Sequence, residues 1–284
     1  MINRSIGLTG LALSIAFGSL LLAGCGSDDS PGGTQTQAAS NDSVGSQEAT
    51  DRYRRYLVEQ TGLLVDRTRA FVKALNYGNV EQAKQLYPTT RMPYEAVEPV
   101  AESFGTLDPD IDAREGDVPE ASFRGFHRIE RALWLDNTTK GVRSVAAKLL
   151  SDIKRLQALV YTIKLEPAQV ANGANELLTE VSSSKITGEE ERYSHTDLWD
   201  FEANVQGSQA AYDSVKPLLL QQDPELAKEI DQRFAEVEEA LRPYRRGDGF
   251  VLYNQLSEQD KRRLAQSIDA LAEPISQVAA IVAR

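Results

Sequence analysis

The chain has 284 residues, with 31 Lys and Arg against 42 Asp and Glu, a net charge of −11 and one cysteine. That balance argues against nucleic acid as a partner and favours cations, and one cysteine excludes an intramolecular disulfide.

The first element is a leader. Arg4, the uncharged run "IGLTGLALSIAFGSLLLA" and then "LAGC" at Leu22 to Cys25 read as a bacterial lipoprotein signal peptide over residues 1–24, cleaved before Cys25. Cys25 is then expected to carry a lipid that anchors the chain to the membrane on the periplasmic side, with inner or outer membrane left open. Residues 25–50, "CGSDDSPGGTQTQAASNDSVGSQEAT", are rich in Gly, Ser, Thr, Asn and Gln and are expected to form a flexible tether. The folded body is expected to run over 51–284.

Apolar residues in that body recur at helical spacing. Leu57, Leu64, Phe71 and Leu75 form one stripe, and Val142, Val145, Leu149, Ile153, Leu156, Val160 and Ile163 a second. Further stripes follow around Phe201, Ile230 and Ile268, and no convincing strand pattern appears. Asn79 with Gln82 and Ser257 with Asp260 read as helix starts, as do Glu166-Pro167 and Asp223-Pro224. The expectation is an all-α protein of roughly eight helices in two packed four-helix bundles, about 51–160 and 161–284.

Three segments carry polar residues that a plain bundle does not need. In "PYEAVEPVAESFGTLDPDIDARE", Pro93 to Glu115, helical geometry puts Glu95, Glu98 and Glu102 on one arc beside an apolar one, with a kink expected at Pro99. Carboxylates so grouped repel unless a cation lies between them. Asp108, Asp110, Asp112 and Glu115 follow in what reads as a loop lacking the Gly and terminal Glu of a calcium-binding hand. In "GFHRIERALW", residues 125–134, Phe126, Ile129 and Leu133 face the core, while His127, Glu130 and Trp134 share the adjoining arc. An H-x-x-E pair in that position reads either as a metal site or as boundary polar residues. The third segment, "ITGEEERYSHTDLWDFEANVQGS", places His195 just before a helix, where capping competes with a ligand role.

Taken in this order, the three segments resemble the EfeO/EfeM family of periplasmic iron-uptake lipoproteins and their shared imelysin-like domain. The resemblance implies an all-helical fold of two four-helix bundles and a metal site around His127 and Glu130. It also implies two partners, an inner-membrane iron permease and a haem-dependent peroxidase. The chain is more similar to the shorter, EfeM-type form, with no cupredoxin domain expected. Residue chemistry adds Glu95, Glu98 and Asp112 as candidate oxygen ligands, with Glu102 and Glu115 behind them. With Cys25 lipidated, Met92 is the remaining sulfur of the mature chain. A copper(I) site of several sulfurs is thereby excluded, whereas carboxylates with one imidazole suit Fe2+ or Fe3+ and accept zinc or copper(II).

Two other functions are open at this level. A metallopeptidase requires H-E-x-x-H or H-x-x-E-H, and Arg131 follows Glu130 instead, so no enzyme activity is expected. Binding of an acidic polysaccharide such as alginate requires a basic or aromatic groove, for which Arg124, Arg128, Arg131 and Trp134 are candidates.

Overall fold

Helix α1 (Thr34–Asn76) starts inside the stretch expected to be a tether. The computed structural model describes residues 34–284. The expected signal peptide and the lipidated Cys25 lie outside the described residues, as does the side chain of Glu102. Where α1 overlaps the expected tether the chain is helical from Thr34, and packing accounts for its last residues before Asp51. Ala49, Tyr53 and Leu57 are spaced i, i+4, i+8 and are all buried, so the core-facing stripe extends back past Asp51. Thr50 turns its hydroxyl onto the carbonyls of Ser46 and Gln47, which satisfies it within the helix.

The other helices are α2 (Val80–Glu95), α3 (Leu107–Asp112), α4 (Gly125–Trp134), α5 (Arg143–Leu159), α6 (Pro167–Ser183), α7 (Asp197–Gln222), α8 (Pro224–Leu241), α9 (Glu258–Ile275) and α10 (Val278–Val282). A two-residue hairpin, Arg245–Arg246 with Gly249–Phe250, is the one paired ladder among the described residues. The all-α class therefore holds, with eight helices of ten residues or more among the described residues. The four expected helix starts are where the sequence put them. Asn79 accepts from the Gln82 amide at 3.0 Å and Asp223 from the Leu226 amide at 2.9 Å. Ser257 and Asp260 form a reciprocal capping box, and Pro167 follows the cap residue Glu166.

Helix α1 packs on α2, α5 and α7, while α6 packs on α7 and α9, and α8 on α9. Helix α7 thus belongs to both groups, and the apolar core is continuous across them. A helix so enclosed is buried nearly all round, and its polar residues Asp197, Asp200, Asn204 and Ser208 are buried with it.

The region around Pro99 departs from one continuous helix, as expected. Helix α2 ends at Glu95, and a 3-10 segment, Glu98–Phe104, follows with Val100 outside helical geometry. Two glycines make room for this kink. A Cβ at Gly173 on α6 would overlap the Pro99 carbonyl, and one at Gly207 on α7 would overlap that of Ala96. The backbone carrying Glu95 and Glu98 is pressed between two helices that lack side chains there. The acidic loop is corrected: residues 107–112 are helical, because Leu107 and Ile111 sit one turn apart and are both buried.

Candidate metal centre

His127 is the third residue of α4, in its first turn, and its imidazole is 2% exposed. Its Nδ1 lies 3.2 Å from Glu130 Oε2, and Glu130 is itself fixed because its Oε1 accepts the backbone N–H groups of Tyr193 at 2.9 Å and Ser194 at 2.8 Å. A carboxylate at Nδ1 assigns the proton there and turns the other nitrogen outward. That Nε2 is buried and has no hydrogen-bond partner among the described residues. It faces Asp112 Oδ1 at 3.5 Å and Glu190 Oε1 at 3.6 Å.

The carboxylates come from separate elements. Asp112 closes α3, Glu95 closes α2, Glu98 opens the 3-10 segment, and Glu190 and Glu191 precede α7. Their donor atoms form three overlapping sets, each with all atoms within 4.8 Å: Glu95, Glu98 and Asp112; Asp112, His127 and Glu190; His127, Glu130 and Glu191. Asp112 and His127 link the sets. The five residues singled out from sequence therefore converge, though not as one shell.

Buried carboxylates in such numbers need compensation, and two cations supply it. Arg91, wholly buried on α2, pairs with Glu95, Asp112 and Glu191 and approaches Glu190 at 3.4 Å. Lys185 places its Nζ 2.9 Å from Glu95 and 2.7 Å from Glu98, and Asn204 Nδ2 donates to Glu98 at 2.7 Å. The cation expected between these acids is thus supplied by the chain itself, as a guanidinium and an ammonium.

The cations divide the acids into two kinds. Burial raises the Glu95 carboxyl, but Lys185 and Arg91 outweigh it and hold it below the usual range. Burial likewise opposes ionisation of Glu190 and Glu130, yet Lys185 and His127 keep Glu190 far down and His127 keeps Glu130 down. Burial wins at Asp112, pushed up to about 6 against the pull of Arg91, and at Asp197, pushed up to about 7. Burial also raises Glu98, Glu191 and Asp200 well above the carboxylate range, with acidic neighbours adding to it. Burial and Arg91 lower His127, but its contacts with Glu130 and Glu190 raise it to about 9. At neutral pH the centre therefore holds protons that an arriving metal ion would displace.

A cleft of about 280 Å³ opens onto the cluster, with Glu98, Asp112, Lys185 and Glu190 on its wall. Arg114 stands at its rim and donates to Glu190 Oε2 at 3.1 Å. The cleft reaches Glu98, Asp112 and Glu190, with His127 buried behind them, and it is lined by more acids, Asp108, Asp117 and Glu180.

Other candidates lie outside the cluster. His195 is half-buried in a left-handed backbone conformation and belongs to none of the three donor sets. Glu115 pairs with Arg131 and Tyr193. Arg131 also binds Glu120, Arg124 pairs with Asp110 at 3.0 Å, and Trp134 packs edge-on against Tyr87. Arg124 and Arg131 thus face acids of this chain and do not form an open basic groove. Sequence reasoning passed over Arg91, Lys185, Glu190, Glu191 and Asp200. A signal for Arg91 was present in its i, i+4 spacing to Glu95, and "GEEER" flagged the glutamates.

Among the described residues no helix is long and apolar enough to cross a membrane. The Imelysin family model matches residues 49–278. The chain is similar to the protein named iron uptake system component EfeO of Escherichia coli, 44% identical over 238 residues that cover 82% of this chain and 64% of that protein. The same figures hold for the proteins of that name from Shigella flexneri and Shigella sonnei. The chain spans 64% of the length of these curated relatives. A family-model match over most of the chain, on an all-helical fold, shows that this protein belongs to the imelysin family.

Proposed function

We propose that the protein is the iron-capturing component of an uptake system, taking Fe2+ or Fe3+ at Asp112, His127 and Glu190 and passing it to an inner-membrane permease. The names of its relatives support the iron-uptake setting. The observation that carries the metal reading is His127 Nε2, a buried nitrogen without a hydrogen-bond partner among the described residues, 3.5 Å from Asp112 and 3.6 Å from Glu190. A buried polar atom left unpaired is costly, and a cation coordinated there removes the cost. One imidazole with carboxylate oxygens is a donor set for iron that also accepts zinc or copper(II). In this reading Glu130 positions His127, because both of its oxygens already serve other groups. Glu95 and Glu98 extend the site toward the cleft. A haem-dependent peroxidase as partner and a periplasmic position held by lipidated Cys25 complete the proposal.

The reading includes no peptidase chemistry. His127 and Glu130 stand three apart on one helix and hydrogen-bond to each other, so the glutamate is occupied and not poised over a metal-bound water. Anaerobic calorimetric titration with Fe2+ tests the function. One ion per chain is expected, with binding lost in His127→Ala and Glu190→Ala while both variants stay folded. Unchanged affinity in both variants would overturn it.

A further inference from the structure

The two cations in the acidic cluster are held differently. Arg91 is part of α2, wholly buried, engaged through all three of its nitrogens and seated over the Phe126 ring at 5.5 Å. Nothing short of opening the bundle frees it. Lys185 is buried as well, its side chain 1% exposed, but it stands on a single 3-10 turn, Lys185–Thr187, that ends at Gly188 with φ 81°. Its ammonium touches Glu95 and Glu98 through one oxygen each and lies on the wall of the cleft through which an ion would enter.

The place it occupies is a cation's place. Glu95 and Glu98 belong with Asp112 to a donor set whose oxygens all lie within 4.8 Å, and Lys185 Nζ sits at 2.9 and 2.7 Å from the first two. The same cleft wall carries Asp108, Asp117 and Glu180, acids toward which a displaced ammonium can turn. Asn204 Nδ2 donates to both Glu95 and Glu98 and holds their carboxylates in register whether or not the lysine is present.

We propose that Lys185 is a tethered competitor for the metal ion: its ammonium fills the Glu95–Glu98 half of the centre, yields it to an entering di- or trivalent ion, and returns as that ion leaves. The inference rests on the metal-capture reading above and assigns its regulation. Electrostatics gives the exchange its direction. A divalent ion between two carboxylates gains more than a monocation does, so it wins when supplied. When the ion departs, the ammonium returns to Glu95 and Glu98, which would otherwise keep only Arg91 and Asn204 as compensation for their burial. The cost of the exchange is lower affinity, by the factor that the lysine-in state dominates the lysine-out state. A carrier that must hand over its cargo benefits from that reduction.

Two measurements test this. Zinc serves as a redox-silent probe. In the first, amine acylation of the wild-type chain, with and without zinc, is followed by mass spectrometry of the peptide containing Lys185. Protection without zinc and modification with it are expected. In the second, zinc titration of Lys185→Met should show affinity raised about tenfold or more, as the competing state is removed. Lys185 that stays protected in the zinc-loaded protein overturns the proposal, and so does a folded Lys185→Met variant that binds no tighter than wild type. Should that variant not fold, the acylation result on the wild-type chain decides alone. A wild-type chain that binds neither zinc nor iron removes this proposal together with the metal-capture reading, whereas binding with Lys185 still protected removes this one only.

Discussion

Metal affinity should depend on pH in a way that reports which half of the centre takes the ion. His127 is held protonated up to about 9, so at pH 7.5 an ion bound at Nε2 must displace one proton. Asp112, raised to about 6, is mostly ionised there and adds a second proton only in more acidic solution. Glu190 is ionised throughout and adds none. From pH 6 to 8 the apparent affinity should therefore rise about tenfold per unit, about a hundredfold in all, for one displaced proton. Below pH 6 the slope should approach two. Glu98, raised well above the carboxylate range by burial and by Glu95, would contribute a further proton if it also binds the ion, so a slope of two near pH 7 marks its participation. Metal-free stability runs the other way. A histidine whose pKa rises from 6.5 unfolded to about 9 folded contributes stability that is complete below 6.5 and lost as pH climbs through 9, roughly 3 kcal/mol. The assay is zinc competition against a chromophoric chelator from pH 5.5 to 8.5, with calorimetry in buffers of different ionisation enthalpy to count protons. A flat profile, or a slope that survives His127→Ala, would refute the reasoning.

Three shorter predictions follow from the same geometry. In Glu130→Gln the one remaining oxygen stays on the Tyr193 and Ser194 amides, so the new NH2 faces His127 Nδ1, the imidazolium loses a carboxylate that sustains it, and the neutral ring that results carries its proton on Nε2. Nitrogen-15 imidazole shifts read this directly, and a retained Nδ1–H would show that Glu130 does not set the tautomer. Gly207→Ala forces the Ala96 carbonyl aside, and overpacking of this kind costs about 1–3 kcal/mol, lowering Tm by several degrees and displacing Glu95 and Glu98. An unchanged Tm with unchanged zinc affinity would mean that the kink has room to spare. The purified protein should cleave no peptide in a diverse library, with or without zinc; cleavage lost on His127→Ala would falsify the carrier reading in favour of a peptidase.

Much of the fold was legible because its determinants are local. The stripe from Leu57 to Leu75 and the Ser257–Asp260 capping box each need only neighbours within a few turns of chain, and period and capping chemistry expose them. Residues 107–112 were misread for the complementary reason. A six-residue helix is not stable on its own and exists here because Leu107 and Ile111 find a core built by other segments. The start of α1 was hidden in the same way, since the packing that buries Ala49 outweighs a composition suited to a linker.

The candidate site divides along the same line. Glu95, Glu98, Asp112, His127 and Glu130 stood out as acids and an imidazole on arcs that border the core. Arg91 and Lys185 did not, because a cation on such an arc reads as a long side chain reaching for water until its partner is known. The partners are remote: Arg91 and Glu190 are 99 residues apart in sequence, and Lys185 and Glu95 are 90 apart. A single sequence therefore displays the excess of acids without the counter-ions that balance them, and it invites the picture of bare charges waiting for a metal. In the folded protein those charges are already matched by a guanidinium, an ammonium and several protons. In the proposed exchange an entering ion displaces the ammonium and protons while Arg91 stays in place, and it does not fill an empty space. Binding and release are then set by what Lys185 and His127 give up and take back, and not by the number of carboxylates alone.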